Sequence, residues 1–221
     1  MNRIIAVVEG QTEQTFIRDI LAPRLANQRI YITAQLIGRP GHKGGIGPFP
    51  RASADILRLI KQDRQLFVTT MFDFYGMPTT WPGRSEANNL PFEKRASHVE
   101  IAIYKKIAQE LGDDFQPNRF IPYVQMHEYE ALLFSMPSAI TRVMNSNSAL
   151  SILEEIKDQF KNPEAINDSP ETAPSKRLAR IFPKFRKPIH GVSIAKKIPF
   201  EILLDECSHF QCWIQRLEKL T

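Results

Sequence analysis

The chain has 221 residues, 43% hydrophobic and 24% charged, the proportions of an ordinary globular protein and not those of a disordered, fibrous or membrane chain. No apolar run reaches the roughly 18 residues that a membrane-spanning helix needs. The formal net charge is +5, from 29 Lys and Arg against 24 Asp and Glu, an excess that suits an anionic partner without requiring one.

That charge is unevenly placed. Residues 171–199 hold Lys176, Arg177, Arg180, Lys184, Arg186, Lys187, Lys196 and Lys197 with the single acid Glu171, which leaves 21 bases and 23 acids elsewhere. One late stretch therefore carries +7 and the remainder −2. A patch of this kind suits phosphate contacts, and equally a solvated face. The N-terminus, Met1-Asn2-Arg3-Ile4-Ile5, has no long apolar stretch leading to a small-residue cleavage site, so the expectation is a cytoplasmic chain. Cys207 and Cys212, five apart on an expected helix, face different ways and read as reduced thiols. With His209 they offer zinc fewer than the usual four ligands, so core packing is the simpler reading.

In chain order, residues 4–8 form a continuous apolar strand that stops at Glu9-Gly10, the profile of a buried parallel strand. A helix follows from Thr12 as N-cap, with Phe16, Ile17, Ile20, Leu21 and Leu25 at helical spacing and Pro23 set to kink or end it. Residues 30–37 read as a second strand. The segment 38–48, which holds five of the ten glycines, is an irregular loop. Ile56, Leu57 and Ile60 mark a helix, 66–72 a third strand ending at Asp73, Val99 to Ile107 another helix, and 120–126 a fourth strand ending at His127-Glu128-Tyr129-Glu130. This β-α-β-α-β-α-β alternation predicts an α/β fold, a mostly parallel sheet flanked by helices whose strand C-terminal ends share one edge. After Glu130, short helical pieces punctuated by proline predict a helical C-terminal elaboration. The expected division is a core of 1–135 and a basic, helical 136–221 packed on it.

Acids stand at the ends of three strands: Glu9, Asp73, and Glu128 with Glu130. A parallel sheet brings strand ends together, and clustered carboxylates are hard-oxygen ligands suited to Mg²⁺ or Mn²⁺ with a phosphate substrate. Taken one by one, such acids more often cap helices or solubilise strand ends. His127 and Glu130 share a face if a helix begins there, but residue 131 is Ala, so the zinc-protease spacing His-Glu-x-x-His is absent. Metal ligand, general base and simple hydrogen-bonding group are not separated for His127 by spacing alone. Arg39, His42 and Lys43 among the glycines offer a phosphate cradle or a plain connector, without the P-loop spacing.

The runs Val7-Val8-Glu9-Gly10-Gln11-Thr12-Glu13, Met71-Phe72-Asp73-Phe74-Tyr75-Gly76-Met77-Pro78, His127-Glu128-Tyr129-Glu130-Ala131-Leu132-Leu133-Phe134, Pro174-Ser175-Lys176-Arg177 and Cys207-Ser208-His209-Phe210 resemble the DUF4276 family over nearly the whole chain. That family resembles the TOPRIM superfamily of topoisomerases, primases and OLD-type nucleases, in which a glutamate follows the first strand and an Asp-x-Asp a later one. Glu9 matches the first position and Asp73 the first aspartate, while Tyr75 stands where the second aspartate would be. The resemblance implies a TOPRIM-like, Mg²⁺- or Mn²⁺-dependent nuclease of DNA or RNA, working beside an ATPase partner in bacterial anti-phage defence. On that reading Glu9 and Asp73 are catalytic and hold the metal, Glu128 and Glu130 are further ligands, and Glu13 and His127 support the site. Arg39, Lys43, Lys176, Arg177, Lys184, Arg186 and Lys187 then contact nucleic acid. The competing reading is a non-catalytic module on a degenerate TOPRIM scaffold that binds nucleic acid or a partner. A toxin-like component active only in a complex is a third.

Overall fold

The computed structural model describes residues 2–38, 44–167 and 171–220. The chain forms two compact units, unit 1 of Met1–Val124 with Gln215–Thr221, and unit 2 of Gln125–Ile214. His127, Glu128 and Glu130 thus belong to unit 2.

Unit 1 is built on a parallel sheet. Strand β1 (Asn2–Val8) pairs in parallel with β2 (Ile30–Leu36) on one side and β3 (Leu66–Asp73) on the other, and β3 pairs in parallel with β4 (Phe120–Ile121). The order is β2-β1-β3-β4. Ala6, Val7 and Val8 are all buried, as consecutive residues are only in a strand covered on both faces. Each such side chain contributes about 1–3 kcal/mol of burial free energy.

The first crossover comprises α1 (Gln11–Phe16), a π-helical turn (Ile17–Leu21) and α2 (Ala22–Ala26). Two sequence expectations are corrected here. The N-cap is Gly10, in extended conformation, and not Thr12. The helix also continues past Pro23, because Ala22 N–H already bonds five residues back, to Ile17 O, and Pro23 falls in the first turn of the segment that follows. A proline ring and its missing N–H are tolerated there. Helix α3 (Phe49–Gln62) then buries Phe49, Ala52, Ser53, Ile56, Leu59 and Ile60, the three-and-four spacing of one helix face. Short α4 (Arg84–Ala87) and long α5 (Phe92–Leu111) complete the return to β4.

The expected strand over 120–126 is interrupted. It comprises β4 and β5 (Val124–Gln125), both pairing with β3. Pro122 has no N–H for the ladder, and threonine hydroxyls of β3 bridge the gap. Thr69 Oγ1 donates to Ile121 O at 2.5 Å, Thr70 Oγ1 donates to Tyr123 O at 2.8 Å, and Tyr123 N donates back to Thr70 Oγ1 at 2.8 Å.

Unit 2 is helical, as the proline-punctuated sequence predicts. A 3₁₀ segment, Tyr129–Ser135, is buried at all seven positions and forms its centre. Around it run α6 (Pro137–Met144), α7 (Leu150–Asp158), α8 (Pro174–Ile181), α9 (Val192–Ala195), α10 (Phe200–Glu206) and α11 (Ser208–Glu218), whose last residues count with unit 1. Pro137 and Pro174 sit in the first turns of α6 and α8, where the missing N–H costs nothing. Buried Glu164 caps α11, accepting from His209 N at 2.8 Å and Phe210 N at 3.0 Å. No helix of the described residues is long and apolar enough to cross a membrane.

Candidate functional site

Strands β2 and β3 flank β1 on opposite sides, so the winding of the sheet reverses between β1 and β3. In open parallel sheets the crevice for ligands opens at this point, beyond the strand C-terminal ends. Glu9 and Asp73 stand there. Val8 is registered against Met71, so Glu9 leaves β1 at the level of Phe72 and Asp73 ends β3 one residue further on. Asp73 is buried and Glu9 half-buried.

The surroundings of Glu9 are fixed from two sides. Its carbonyl accepts from Gly45 N at 3.0 Å, and Gly44 N donates to Ile37 O at 2.8 Å, which sets Gly44 and Gly45 against the ends of β2 and β1. Gly44, Gly45 and Gly47 take positive φ there, a backbone that glycine adopts without strain. On the other side lies the turn after β3: a Cβ at Gly76 would stand 3.6 Å from Glu9 Oε1. Glu13, buried in the first turn of α1, curls back so closely that a Cβ at Gly10 would lie 2.9 Å from its Oε2. Gly10 thus makes room for that carboxylate.

Two residues with no signal in the sequence hold this edge together. Trp81 Nε1 donates to Gly47 O at 2.8 Å, and its ring packs edge-on against Phe49 and Phe72. Arg84 lays its guanidinium 3.9 Å from the Phe74 ring centroid and donates from Nε to Phe74 O at 3.2 Å. Burial, with Arg95 nearby, pulls the Arg84 pKa below its ordinary value.

In unit 2 the sequence-predicted residues are engaged by partners of their own unit. His127 has φ +61°, a left-handed conformation that histidine enters more readily than most residues. It therefore precedes the 3₁₀ segment and does not share a helical face with Glu130, contrary to the i, i+3 expectation. Asn167 Nδ2 meets His127 Nδ1 at 3.2 Å. Glu128 reaches the start of α8, where its carboxylate accepts from Ser175 N and Ser175 Oγ, each at 3.0 Å. Lys187 Nζ lies 2.7 Å from Glu130 Oε2 and 3.7 Å from Glu128 Oε1. Arg177 is held by its Nε, which donates to Thr172 O at 2.7 Å, and by the Phe160 ring 5.4 Å from its guanidinium. Lys176, Arg180, Lys184, Arg186, Lys196 and Lys197 are exposed.

The pattern described as "Domain of unknown function (DUF4276)" matches residues 8–218. The chain belongs to the DUF4276 family. Among solved structures it is similar to the C-terminal region of the Burkholderia pseudomallei OLD protein, at 14% identity and a TM-score of 0.49 over 98% of this chain and 97% of that one. It is also similar to the C-terminal region of the Xanthomonas campestris pv. campestris OLD protein, at 11% identity and a TM-score of 0.46 over 99% and 96%. No match is found among curated proteins.

Among the described residues of this DUF4276 chain, no three His, Cys, Asp or Glu side chains form a group that could hold a metal ion. Glu9 and Asp73 come to one edge from neighbouring strands. That donor set fits Mg²⁺ in its usual protein setting, one or two carboxylates completed by waters and substrate phosphate, and does not make a closed protein cage. Arg39 and Lys43 lie outside the described residues. A cavity of about 1030 Å³ in unit 1 opens at the opposite edge of the sheet, beside Asn2, Phe67 and Phe120. Its one carboxylate, Glu100, accepts from Val124 N at 2.9 Å and faces Arg216 Nη1 at 3.9 Å, so the cavity's size does not make it the site of chemistry.

Proposed function

We propose that this DUF4276 chain is a TOPRIM-like, divalent-metal-dependent nuclease that hydrolyses phosphodiesters of DNA or RNA, in an anti-phage defence setting with an ATPase partner. The observation that carries this reading is the placement of Glu9 and Asp73 at the C-terminal ends of the two parallel strands where the winding reverses. Mg²⁺ or Mn²⁺ bound with the substrate would supply neutralisation of the charge developing on phosphorus. Asp73, buried and fixed by the strand, would hold the ion. Glu9, half-buried beside Gly76, would share in binding or move the proton of the attacking water. Glu128 and Glu130 are engaged within unit 2 by Ser175 and Lys187. The exposed Lys176, Lys184 and Arg186, with Arg177, Arg39 and Lys43, would contact phosphates, whereas Lys187 is engaged by Glu130. Cleavage of single- and double-stranded DNA and RNA with Mg²⁺ or Mn²⁺ tests the assignment: Glu9→Gln and Asp73→Asn should abolish it, and undiminished cleavage by both variants overturns it.

A second reading is supported by Tyr75 in place of the second aspartate and by the engagement of Glu128 and Glu130 with Ser175 and Lys187. Here the chain is a non-catalytic nucleic-acid- or partner-binding regulator. Metal-independent binding with a steep salt dependence, without cleavage, identifies it.

A further inference from the structure

We infer that Tyr75 is a stacking platform for an unpaired base, so that the nucleic acid received at the Glu9–Asp73 edge is single-stranded or locally unpaired. The inference rests on the nuclease reading only in taking that edge as the place where nucleic acid arrives.

Tyr75 is 37% exposed, whereas its neighbours Phe74 and Met77 are 4% and 3% exposed. Of the described aromatic residues, only Tyr31 is a comparably exposed large ring, and it lies on β2, away from the turn that carries Asp73 and Gly76. An aromatic ring left in water forgoes the burial free energy that places most such rings in the core. Here the backbone on either side is held while Tyr75 keeps part of its surface in water. Arg84 grips Phe74 by ring face and carbonyl, and Met77 N donates to Phe74 O at 3.4 Å, which closes the turn around residues 75 and 76. Both flanks of Tyr75 are thereby anchored, while Tyr75 itself is 37% exposed.

The corner adjoins the proposed chemistry. Gly76, the next residue, is the one whose added Cβ would stand 3.6 Å from Glu9 Oε1, and Asp73 is two residues before Tyr75. Tyr75 thus shares its turn with Asp73, and its neighbour Gly76 borders Glu9, which puts the residue beside the place where the proposed substrate would arrive. Every base has an aromatic face, so a tyrosine at such a place recognises the unstacked state of the base without reading its sequence. In a duplex the base faces are covered by their neighbours and the platform has nothing to bind. The tip of the turn thus carries a group suited to selecting unpaired strands where a carboxylate would have extended the metal site.

The test is equilibrium binding by fluorescence anisotropy, in Ca²⁺ as an oxygen-ligated cation for the carboxylates and with probe integrity checked on a gel, of the full chain and its Tyr75→Ala, Tyr75→Phe and Tyr75→Trp variants. The probes are a labelled single-stranded oligonucleotide of mixed sequence and the blunt duplex of the same length. Stacking predicts that Tyr75→Ala weakens single-strand binding by about tenfold, that Phe and Trp keep it within about threefold of the parent, and that duplex binding is unmoved. Equal single-strand affinity of Tyr75→Ala and parent overturns the inference. So does an equal loss on single strand and duplex, or a parent chain that binds no single strand. Because binding and not cleavage is read, undiminished cleavage by Glu9→Gln and Asp73→Asn would sink the assignment of catalysis to those two carboxylates while leaving the stacking result to stand or fall by itself.

Discussion

Lys187 brings its ammonium to 2.7 Å from Oε2 of Glu130, a carboxylate whose side chain has no exposed surface. The basic stretch thus folds back onto an acidic pair within unit 2, and one of its cations is used in holding the fold. Desolvating Glu130 is costly, and a charge-assisted partner offsets that cost. Lys187→Met should lower stability by about 2 kcal/mol, less than for a fully buried pair because the lysine is 34% exposed. Glu130→Gln in the Lys187→Met background should recover part of the loss. Urea unfolding of the four members of this cycle checks it, and strictly additive effects would refute the coupling.

Glu128 anchors the first turn of α8 through two bonds to Ser175. Glu128→Ala should cost about 1–2 kcal/mol, the range for losing a helix cap and a charge-assisted hydrogen bond. Ser175→Ala removes the hydroxyl bond and keeps the backbone one, so a smaller loss is expected. Thermal unfolding of both variants gives the order.

Gly83 precedes α4 with φ +72°, and a methyl there would stand 2.8 Å from Ala102 Cβ and 3.3 Å from His98 O. Conformational strain and a clash with an adjacent helix act together, so Gly83→Ala should cost about 2–3 kcal/mol or more. A Gly45→Ala control, also at positive φ but with nothing within 4 Å, carries only the conformational part, about 1 kcal/mol. Denaturant midpoints that do not separate the two would refute the clash.

The Cys207 thiol is buried with Ser135 Oγ 3.3 Å from its sulfur. Burial first, and then the charge of Glu164, pushes its pKa well above the ordinary value. In the unfolded chain the thiol ionises at about pH 8.5. Above that pH the folded state retains a proton that the unfolded state has released, so this contribution to stability is fully present below about pH 8.5 and declines as pH rises toward the folded pKa. Cys207→Ala should flatten the fall in stability on the alkaline side. In the native protein, iodoacetamide should modify exposed Cys212 and spare Cys207 until the chain unfolds.

The strands over 4–8 and 66–72 are legible in the sequence because a parallel strand buried on both faces needs an unbroken apolar run, and each run stops at an acid. The interruption at Pro122 is not, since it depends on hydroxyls of Thr69 and Thr70 from another strand. The site is legible to the same extent. Glu9 and Asp73 are marked by where their strands end, whereas Trp81, in the turn before α4, and Arg84, the first residue of α4, follow a proline-punctuated stretch whose local pattern gives no hint of the contacts they make across the edge.

Composition and periodicity by themselves determined an α/β chain with a parallel sheet, a helical later part and a basic stretch of +7 against a body of −2. Only tertiary structure decided how those charges are used. Glu9 and Asp73 reach one edge because β1 and β3 are neighbours and parallel. Glu128 and Glu130 engage Ser175 and Lys187, residues roughly fifty and sixty positions further along the chain. Local propensity acts over a turn or two, but a charged group becomes ligand, cap or counter-ion according to what distant segments bring within a few ångströms of it.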